Sequence, residues 1–340
     1  MWSGRPLLLI FGTGDQADQM SHEGNRVFVT GSADLGRLLP NREALHRLQV
    51  SASPLKPSDL PDLSPYPVVV NMITEAEHSA KVLANVRTML RGYRGRVVNP
   101  PHAVLSSTRD QVAQRLSGTE GLIVPPVVRL QGSEAESAVK AIAKAGIGSP
   151  IILRKAGTHT GETVALQNSV DEAVATMESG QIYFATQFVD FASGDGLYRK
   201  YRLWFIGARA VLRHMYVSDH WNVHSKDRAR FMGPRPDLVA EERALIGQTE
   251  PFTEQIRQTL SEVRRRMPLD FFGLDFGIMQ DGKLVFFEAN ATMSFFPLWR
   301  DDDPQFEYLK QVVPPAQAAF MQLVGVSGPA VGSPRANVRV

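Results

Sequence analysis

The sequence feature that most limits the fold is a hairpin pattern at residues 271–291, which read FFGLDFGIMQDGKLVFFEANA. The dipeptide Asp281-Gly282 separates two runs rich in aromatic and branched apolar residues, and such a dipeptide is a strong signal for a two-residue hairpin loop. With that loop, the strands pair so that Asp275 lies opposite Glu288. Because side chains alternate across a strand, both carboxylates would lie on one face of the hairpin.

The two predicted faces of this hairpin differ in chemistry. The polar face carries Gly273, Asp275, Gly277, Phe286, Glu288 and Asn290. The apolar face, which is expected to be buried, carries Phe272, Leu274, Phe276, Ile278, Val285, Phe287 and Ala289. We expect the two glycines of the polar face to leave room for a large ligand above it.

Two carboxylates directly opposite each other repel and destabilise a hairpin. They are tolerated when a cation lies between them or when one is protonated. Asn290 adds a neutral oxygen on the same face, and this donor set suits Mg²⁺, a hard cation that takes its other ligands from water and substrate phosphates. The sequence therefore predicts a magnesium site at Asp275, Glu288 and Asn290, with a solvated polar face that pairs two acids by chance as the alternative.

Composition excludes several classes of protein. The chain has 340 residues, with 37 Lys and Arg against 35 Asp and Glu, and this balance gives no reason to expect a nucleic-acid partner. It has no cysteine, which excludes disulfides, a Cys nucleophile and Cys-ligated zinc or iron–sulfur clusters. No apolar run reaches about 18–20 residues, and no signal-peptide pattern opens the chain. We therefore expect a cytoplasmic protein without membrane contact.

Two patterns follow one another along the chain. Residues 6–100 alternate short β-type runs with one amphipathic helix pattern, which predicts a parallel sheet covered by helices. These runs are at 7–11, 26–30, 68–73 and 96–99, and the helix is at 75–91. Beyond Pro100-Pro101, strands are predicted at 122–130, 150–155, 164–166, 182–189, 201–206 and 210–217, and helices at 107–116, 134–145, 171–177 and 251–266. Residues 325–340 are rich in Gly, Pro and Ser and are expected to be disordered.

The segments GLDFG and FEANATM resemble the metal-binding hairpin of ATP-grasp ligases, in particular the branch of glutathione synthetases and ribosomal-protein glutamate ligases. The resemblance implies an α/β fold of the ATP-grasp (α+β) type and assigns metal binding to the Asp275, Glu288 and Asn290 set. Its expected parts are a Rossmann-like pre-ATP-grasp domain at 1–100, a central subdomain with a phosphate loop at 101–186, a C-terminal subdomain with the metal hairpin at 187–324, and the tail at 325–340.

Residues 151–164, IILRKAGTHTGETV, resemble the strand and glycine-rich loop that close over the triphosphate in this family. Strand alternation lets only one of Arg154 and Lys155 face the nucleotide, and Arg154 is favoured. Backbone N–H groups and short polar side chains of the loop can bind phosphate oxygens. The loop residues assigned to phosphate are Gly157, Thr158, His159, Thr160 and Gly161. A role as general base is the alternative for the histidine.

Three further segments complete the implied nucleotide site. The strand YFATQFVDF resembles the hinge that reads adenine through its backbone, and GLYRKYRLWFIG places an arginine near the transferred phosphate. The loop SDHWNVHSKD resembles one that holds an Asn and a His near substrate and phosphates. The residues so assigned are Gln187, Phe188 and Val189 for adenine, Lys200 and Arg202 for the transferred phosphate, and Asn222 and His224 for the loop.

The resemblance implies a ligase that uses ATP and Mg²⁺, with Mn²⁺ as a substitute ion, to activate a carboxylate as an acyl phosphate. An amine or related nucleophile then attacks the acyl phosphate. Arg154, Lys200 and Arg202 would offset the charge on the phosphoryl group in flight. The partners would be a small-molecule or peptide carboxylate and a nucleophilic co-substrate, and a homodimer is left open.

Three other functions remain open. An ATP-grasp kinase would stop at the phosphorylated product, and a non-catalytic ATP-binding protein would release neither ADP nor phosphate. Residues 12–17, GTGDQA, fit a relaxed G-x-G-x-x-A dinucleotide fingerprint, so an NAD(P)-dependent oxidoreductase is the third alternative. The acid expected at the end of the second strand is missing there, because Thr30-Gly31-Ser32 occupies that position.

Overall fold

The computed structural model describes residues 6–12, 20–23, 26–29, 35–38, 45–56, 58, 60–132, 134–158, 164–248, 250–296 and 303–325. Within these ranges three β-sheets of four or five strands are covered by helices, and two short strands form a separate ribbon. No helix of this part of the chain is long and apolar enough to cross a membrane. The predicted tail beyond Gly325 lies outside the described residues.

The elements are numbered in chain order. The strands are β1 (Leu7–Gly12), β2 (Met20–Glu23), β3 (Arg26–Val29), β4 (Leu45–Val50), β5 (Val68–Asn71), β6 (Arg96–Val98), β7 (Leu122–Ile123), β8 (Val127–Gln131), β9 (Ile151–Lys155), β10 (Val164–Gln167), β11 (Ile182–Gln187), β12 (Tyr198–Ile206), β13 (Arg209–Ser218), β14 (Phe271–Ile278) and β15 (Leu284–Asn290). The α-helices are α1 (Ala80–Met89), α2 (Pro101–Leu105), α3 (Arg109–Leu116), α4 (Ala135–Lys144), α5 (Val170–Ala175), α6 (Pro236–Ile246), α7 (Glu254–Arg266) and α8 (Val313–Leu323). A π-helical turn covers Arg228–Met232, and 3₁₀ segments cover Leu35–Leu38 and Pro304–Val312.

The first sheet confirms the predicted parallel arrangement. Its strand order is β4-β1-β5-β6, and each neighbouring pair is parallel. The residues of β1 from Leu7 to Ile10 are all buried, as expected for a central strand with helices on both faces.

Two details of that sheet differ from the sequence prediction. The run at 26–30 was assigned to the parallel sheet but pairs antiparallel with β2 instead. Strand β4 was not predicted, since His46, Arg47 and Gln49 interrupt its apolar pattern. As an edge strand, β4 leaves those polar positions open to solvent, so the strand needs no regular apolar pattern.

The second sheet has the order β10-β9-β11-β8 and is antiparallel. Helices α4 and α5 pack on it and close a small core of their own around Ile142, Ile151, Leu153 and Tyr183. This sheet brings β9, with its two basic residues, to one wall of the cleft described below.

The third sheet has the order β13-β12-β14-β15-β7 and holds the predicted carboxylate hairpin. Seven of the eight residues of β14 are buried, including Gly273, Asp275 and Gly277. The expectation that only the apolar face would be buried is therefore wrong: helices and loops cover both faces. Helices α6 and α8, which the sequence prediction missed, pack against β13 and β12 of this sheet.

The predicted strand 122–130 is two strands in two different sheets. Leu122 and Ile123 pair with β15 in the third sheet, whereas β8 belongs to the second. Pro125-Pro126 causes the break, because proline has no N–H to donate to a ladder and restricts the residue before it.

The tip of the β14–β15 hairpin has three loop residues rather than two. Met279 N–H donates to the Lys283 carbonyl, and Gly282 adopts a left-handed φ of 82° at the end of the loop. Strand pairing near the tip is thus shifted by one residue, with Ile278 opposite Leu284. A bulge between Asp275 and Phe276 shifts it back, so Asp275 still lies opposite Glu288.

Candidate active site

A row of four polar side chains crosses the third sheet on one face. The strand register places His214 of β13 opposite Arg202 of β12, Arg202 opposite Asp275 of β14, and Asp275 opposite Glu288 of β15. The predicted pairing of the two carboxylates is confirmed, although the turn that was used to derive it is different.

Asp275 is neutralised by cations of the neighbouring strand. Arg202 Nε donates to Asp275 Oδ1 at 2.7 Å and Arg202 Nη2 to Oδ2 at 2.8 Å, while Lys200 Nζ lies 3.8 Å from Oδ2. Burial opposes the charge on Arg202, but the carboxylate of Asp275 outweighs it and holds the pKa of Arg202 above its usual value. For Lys200, burial prevails and lowers the pKa, although the charge of Asp275 opposes this shift.

Glu288 is held by Arg109 of α3 and by Asn290. Arg109 Nη2 lies 2.9 Å from Glu288 Oε1, and Arg109 Nη1 donates to the Phe287 carbonyl at 2.7 Å. Asn290 Nδ2 donates to Glu288 Oε1 at 2.8 Å. The expected repulsion between the two acids is therefore offset by guanidinium groups, which the sequence prediction did not foresee as their partners.

The amide oxygen of Asn290 faces away from the two carboxylates. It accepts hydrogen bonds from the backbone N–H groups of Thr292 and Met293 at 2.9 and 3.0 Å. In this conformation Asn290 orients Glu288 through its NH₂ group, so metal ligation would require its side chain to rotate. Glu288 lines the cleft described below, whereas Asp275 is buried and both its oxygens accept from Arg202, so a hard cation bound to both would require that pair to separate.

Strand β9 presents its two basic residues to different partners. Burial, reinforced by the charge of Arg109, lowers the pKa of Arg154 to about 10, while Glu288 and Asp275 oppose this shift. The negative charges of Asp275 and Glu288 therefore act on Arg154. Lys155 Nζ is instead 3.3 Å from Glu178 Oε2. Both residues line the cleft described below, so the choice of Arg154 as the residue that faces the nucleotide stays a prediction.

We call Arg109, Arg154, Lys200 and Arg202 the basic cluster. These four cations lie around Asp275 and Glu288, and two more carboxylates, Glu75 and Glu77, line the cleft described below. Basic side chains in and beside a partly enclosed site can bind an anionic ligand.

The start of the phosphate loop packs against the N-terminal domain. Gly157 has a φ of 71°, and a Cβ at this position would overlap the ring of His78, so both the conformation and the close approach require glycine. Thr158 Oγ1 donates to the Lys155 carbonyl at 2.7 Å. Residues His159, Thr160 and Gly161, which were assigned to phosphate binding, lie outside the described residues.

A cleft lies between these elements. Its walls come from α3, β9, β15, the start of the phosphate loop and a segment at 74–77 of the N-terminal domain. This last segment was not predicted as part of the site. Arg129 of β8 ties it in place, donating to both Glu77 carboxylate oxygens at 2.9 and 2.6 Å and to Asp110 of α3 at 3.2 Å.

The space above the hairpin glycines is filled by the protein. Met293 covers Gly273, while Phe191 and Phe287 cover Gly277. The expectation that these glycines leave room for a ligand is wrong, and so is the assignment of Phe287 to the apolar face. The bulge between Asp275 and Phe276 is what changes the position of Phe287 relative to its neighbours.

The predicted adenine hinge follows the end of β11. Gln187 Oε1 accepts from Gly148 N–H at 2.7 Å, and the Phe188 N–H donates to the Pro150 carbonyl at 3.2 Å. The Phe188 ring meets Trp221 edge-on, with centroids 5.6 Å apart. Val189 is half-buried just after the strand.

Asn222 and His224 lie in the loop after β13. Their described hydrogen bonds are local: Asn222 N–H donates to His220, and His224 N–H donates to Asp227 at 2.8 Å. Neither residue is among those that line the described cleft. Their assignment to nucleotide or substrate therefore stays a prediction.

Within the described ranges, no group of three or more His, Cys, Asp or Glu residues is arranged to hold a metal ion. The predicted set contains two carboxylates and an amide, so a magnesium ion there would take its remaining ligands from water and from a bound phosphate.

Comparison with known proteins identifies the fold. No family model matches the chain. N-acetylaspartylglutamate synthase A of Mus musculus is 26% identical over 253 residues, which is 73% of this chain and 59% of the mouse protein. The human protein of the same name is 24% identical over 205 residues, 59% of this chain and 47% of its own length. The chain thus matches about half the length of these relatives.

Two solved structures superpose on nearly the whole chain. VanG D-Ala:D-Ser ligase from Enterococcus faecalis superposes with a TM-score of 0.54 at 12% identity, covering 94% of this chain and 99% of the ligase. Carboxyaminoimidazole ribonucleotide synthase from Aspergillus clavatus, complexed with ATP, gives a TM-score of 0.50 at 13% identity over 97% of this chain and 79% of its own. The chain has the ATP-grasp fold, as the hairpin motif predicted.

Proposed function

We propose that this chain is an ATP- and Mg²⁺-dependent ligase that joins a carboxylate to an amine through an acyl phosphate. The observation that carries the proposal is the basic cluster around two directly opposed carboxylates, beside a glycine-rich loop. Arg109 and Arg202 each pair with one of the two carboxylates, and Arg154 and Lys200 add two cations nearby that could bind phosphate oxygens.

We assign each residue a role in the reaction from its position in the site. Arg154 and the loop from Gly157 would hold the phosphates, and Arg202 with Lys200 would offset charge as the phosphoryl group moves to the carboxylate oxygen. Asp275 and Glu288 would hold the magnesium ion, with Asn290 as third ligand after rotation. The ion would draw charge from the phosphate oxygens.

The curated relatives support the second half of the reaction. Their name describes the synthesis of N-acetylaspartylglutamate, in which a carboxylate is joined to the amine of glutamate. The ATP-bound carboxyaminoimidazole ribonucleotide synthase supports ATP as the nucleotide. A small carboxylate and an amino acid are accordingly our first candidate substrates, with a peptide carboxylate as the alternative, since a macrocyclase bound to a precursor peptide, MdnC, shares the fold at a TM-score of 0.50.

Turnover distinguishes this proposal from the three alternatives. Purified protein with MgATP and a panel of carboxylates should form hydroxamate when hydroxylamine is added, and an amide when an amine replaces it. A phosphorylated product that accumulates whatever amine is present would identify a kinase. ATP binding without ADP release would identify a binding protein, and calorimetric binding of NAD(H) without MgATP would identify an oxidoreductase.

The remaining expectations concern the metal ion, the cellular location and the oligomeric state. Mn²⁺ should replace Mg²⁺, because the proposed ligands are all oxygens. A cytoplasmic location and a homodimer are further parts of the proposal. Cell fractionation tests the location, and light scattering on the purified chain tests the homodimer.

A further inference from the structure

A second groove lies at the edge of the first sheet, apart from the cleft. It is formed by the turn at 61–67, which leads into β5, and by the chain at 89–95, which joins α1 to β6. The side chains that line it include Leu63, Tyr66, Met89, Arg91, Tyr93 and Arg94. We call this site the tyrosine groove. None of its lining residues also lines the cleft.

Helix α1 separates the tyrosine groove from the cleft. Strand β5 begins at Val68, next to Pro67 of the groove, and the chain then continues to the cleft segment at 74–77. Helix α1 runs back from Ala80 to Met89, which lines the groove. Its 10 residues span roughly 15 Å, so the two sites lie near opposite ends of the helix. A ligand in the groove would therefore be an effector and not a reactant.

Hydrogen bonds within the protein fix the walls of the tyrosine groove. The Tyr93 hydroxyl donates to the Tyr66 carbonyl at 2.8 Å and so ties the two wall segments together. Within the turn, Tyr66 N–H donates to the Leu63 carbonyl at 3.1 Å, and the Ser64 N–H and hydroxyl donate to the Asp62 carboxylate at 2.9 and 3.0 Å. Walls that are already ordered lose little conformational entropy when a ligand binds.

Two glycines allow the second wall to take this shape. A Cβ at Gly95 would overlap the Tyr93 hydroxyl and would lie 2.8 Å from the Pro67 carbonyl oxygen, so the close approach requires glycine. Gly92 has a left-handed φ of 82° directly after α1. The Arg96 N–H then donates to the Pro67 carbonyl at 3.0 Å, which joins this wall to the start of β5.

The tyrosine groove carries positive charge that the described residues do not neutralise. Arg91 and Arg94 are exposed, and neither guanidinium makes an ion pair or a hydrogen bond within the described part of the chain. Asp62 also lines the groove, but its two oxygens accept from Ser64, and these hydrogen bonds hold the pKa of Asp62 below its usual value. The two arginines therefore remain available to an anion.

The rest of the tyrosine groove is suited to an apolar group. Leu63 and Met89 are buried at its base, and the polar ends of both tyrosines are already engaged. The Tyr93 hydroxyl is bound to a carbonyl, and the Tyr66 hydroxyl lies 2.7 Å from His46 Nδ1. The tyrosines thus offer ring surface to a ligand. The volume of about 630 Å³ is within the range of small-molecule sites.

We propose that the tyrosine groove binds a small organic anion, whose carboxylate or phosphate group contacts the two arginines and whose apolar body lies against the two tyrosines. Guanidinium groups suit both kinds of anion, because their planar donors match two oxygens at once. The apolar walls distinguish this ligand from an inorganic ion. The inference does not depend on the proposed ligase function, since the groove lies outside the cleft.

The test uses 1-naphthyl phosphate and 1-naphthoate as probes and measures their binding to the full chain by isothermal calorimetry. At least one probe should bind more tightly than neutral 1-naphthol and more tightly than inorganic phosphate, each by about tenfold, since 1-naphthol lacks the charge and phosphate lacks the apolar body. The tighter of the two probes identifies whether the groove prefers a carboxylate or a phosphate.

Variants locate the bound probe. Exchanging both arginines, Arg91→Gln with Arg94→Gln, should weaken binding at least tenfold, as expected for losing hydrogen bonds to a charged group. Arg87→Gln is the matched control, because Arg87 is an exposed arginine of α1 that does not line the groove. It should leave binding unchanged, and so should Arg154→Gln in the cleft. If the double variant is unstable in thermal unfolding, each single exchange repeats the test.

Three results would overturn the proposal. The first is that wild-type protein binds neither probe at millimolar concentration. The second is that the arginine exchanges in the groove leave binding intact. The third is that Arg154→Gln alone removes binding, which would place the probe in the cleft.

Discussion

At the scale of single residues, Asp275 shows how the fold offsets the repulsion between two neighbouring carboxylates. Opposed carboxylates predict repulsion, but Arg202 and Arg109 each hold one of them. We expect Asp275→Asn to destabilise the protein by about 3 kcal/mol, since it leaves a largely buried guanidinium without its partner. Urea unfolding in metal-free buffer measures the change, and ligase activity should be lost with it.

The control for this exchange is Asp281→Asn at the hairpin tip. Asp281 is exposed and pairs with Lys283 at 2.7 Å, a surface contact worth less than about 1 kcal/mol. An Asp275→Asn variant that is more stable than wild type without metal would mean that repulsion between the acids dominates after all.

His214 gives the protein a specific sensitivity to acid. Its pKa is held well below 6.5 in the folded state by burial and by the charge of Arg213, whereas the unfolded chain takes up a proton below about pH 6.5. Stability from this group is therefore present above that pH and is lost as the pH falls below it. We expect wild type to lose more stability than His214→Gln between pH 7 and pH 5.

Urea unfolding at the two pH values tests the histidine. The exposed His102→Gln exchange should show the same pH dependence as wild type. Identical pH dependence of wild type and His214→Gln would show that the folded ring takes up its proton as readily as the unfolded one.

The orientation of a side chain was harder to predict from the sequence than the kind of group that it carries. Strand alternation is enough to predict that only one of Arg154 and Lys155 faces the nucleotide, because it depends only on local geometry. The orientation of Asn290 was not predictable, since its oxygen is drawn to the Thr292 and Met293 amides by the path of the chain after β15. The guanidinium of Arg109 comes from another element, 179 residues before Glu288, and no local pattern connects the two.

At the scale of elements, the β14–β15 hairpin shows why the predicted carboxylate pair was right although its loop was wrong. A two-residue loop with straight strands and a three-residue loop with one bulge lead to the same pairing of Asp275 with Glu288. Asp281-Gly282 is compatible with both, because Gly282 can take a positive φ in either loop. The choice depends on the packing of Phe287 with Phe191, at 4.7 Å between ring centroids, which the sequence does not reveal.

The loop type leads to a testable difference between two glycines. Gly282 has a φ of 82°, and its nearest neighbour would be 3.6 Å from an added Cβ, so only conformation opposes a side chain there. We expect Gly282→Ala to cost about 1 kcal/mol. Gly247→Ala, at a helix end with a φ of −74°, should cost much less. Thermal unfolding compares the two, and equal losses would contradict the left-handed loop.

At the scale of the whole molecule, the sequence predicted the parallel first sheet and the fold but not how the sheets meet. Alternating strands and helices identified the parallel N-terminal sheet, and the hairpin motif identified the ATP-grasp fold. The segment at 74–77 lies at the cleft together with Arg129 of β8, which binds both Glu77 and Asp110 of α3. Contacts of this kind depend on the assembled fold, and the residues next to Glu77 in the sequence do not predict them.

Arg129 is a polar link between that segment and α3. It joins Glu77 of the N-terminal domain to Asp110 of α3, and its guanidinium lies 4.7 Å from the Phe184 ring centroid. We expect Arg129→Gln to raise amide hydrogen exchange at 74–78 roughly tenfold, the effect of losing one charged hydrogen bond. Arg235→Gln, which breaks an exposed pair with Asp237, is the control. Unchanged exchange at 74–78 in Arg129→Gln would show that apolar packing alone holds the segment.

The basic residues in and beside the cleft also make the buffer an experimental variable. Phosphate or sulfate should bind the folded protein and not the unfolded chain, so the melting temperature should rise with either anion, compared with chloride at equal ionic strength. The same anions would compete for the sites of Arg154 and Arg202 and make ATP appear to bind more weakly than it does. Samples for nucleotide titration are therefore best prepared in a zwitterionic buffer such as HEPES, with chloride as the counter-ion.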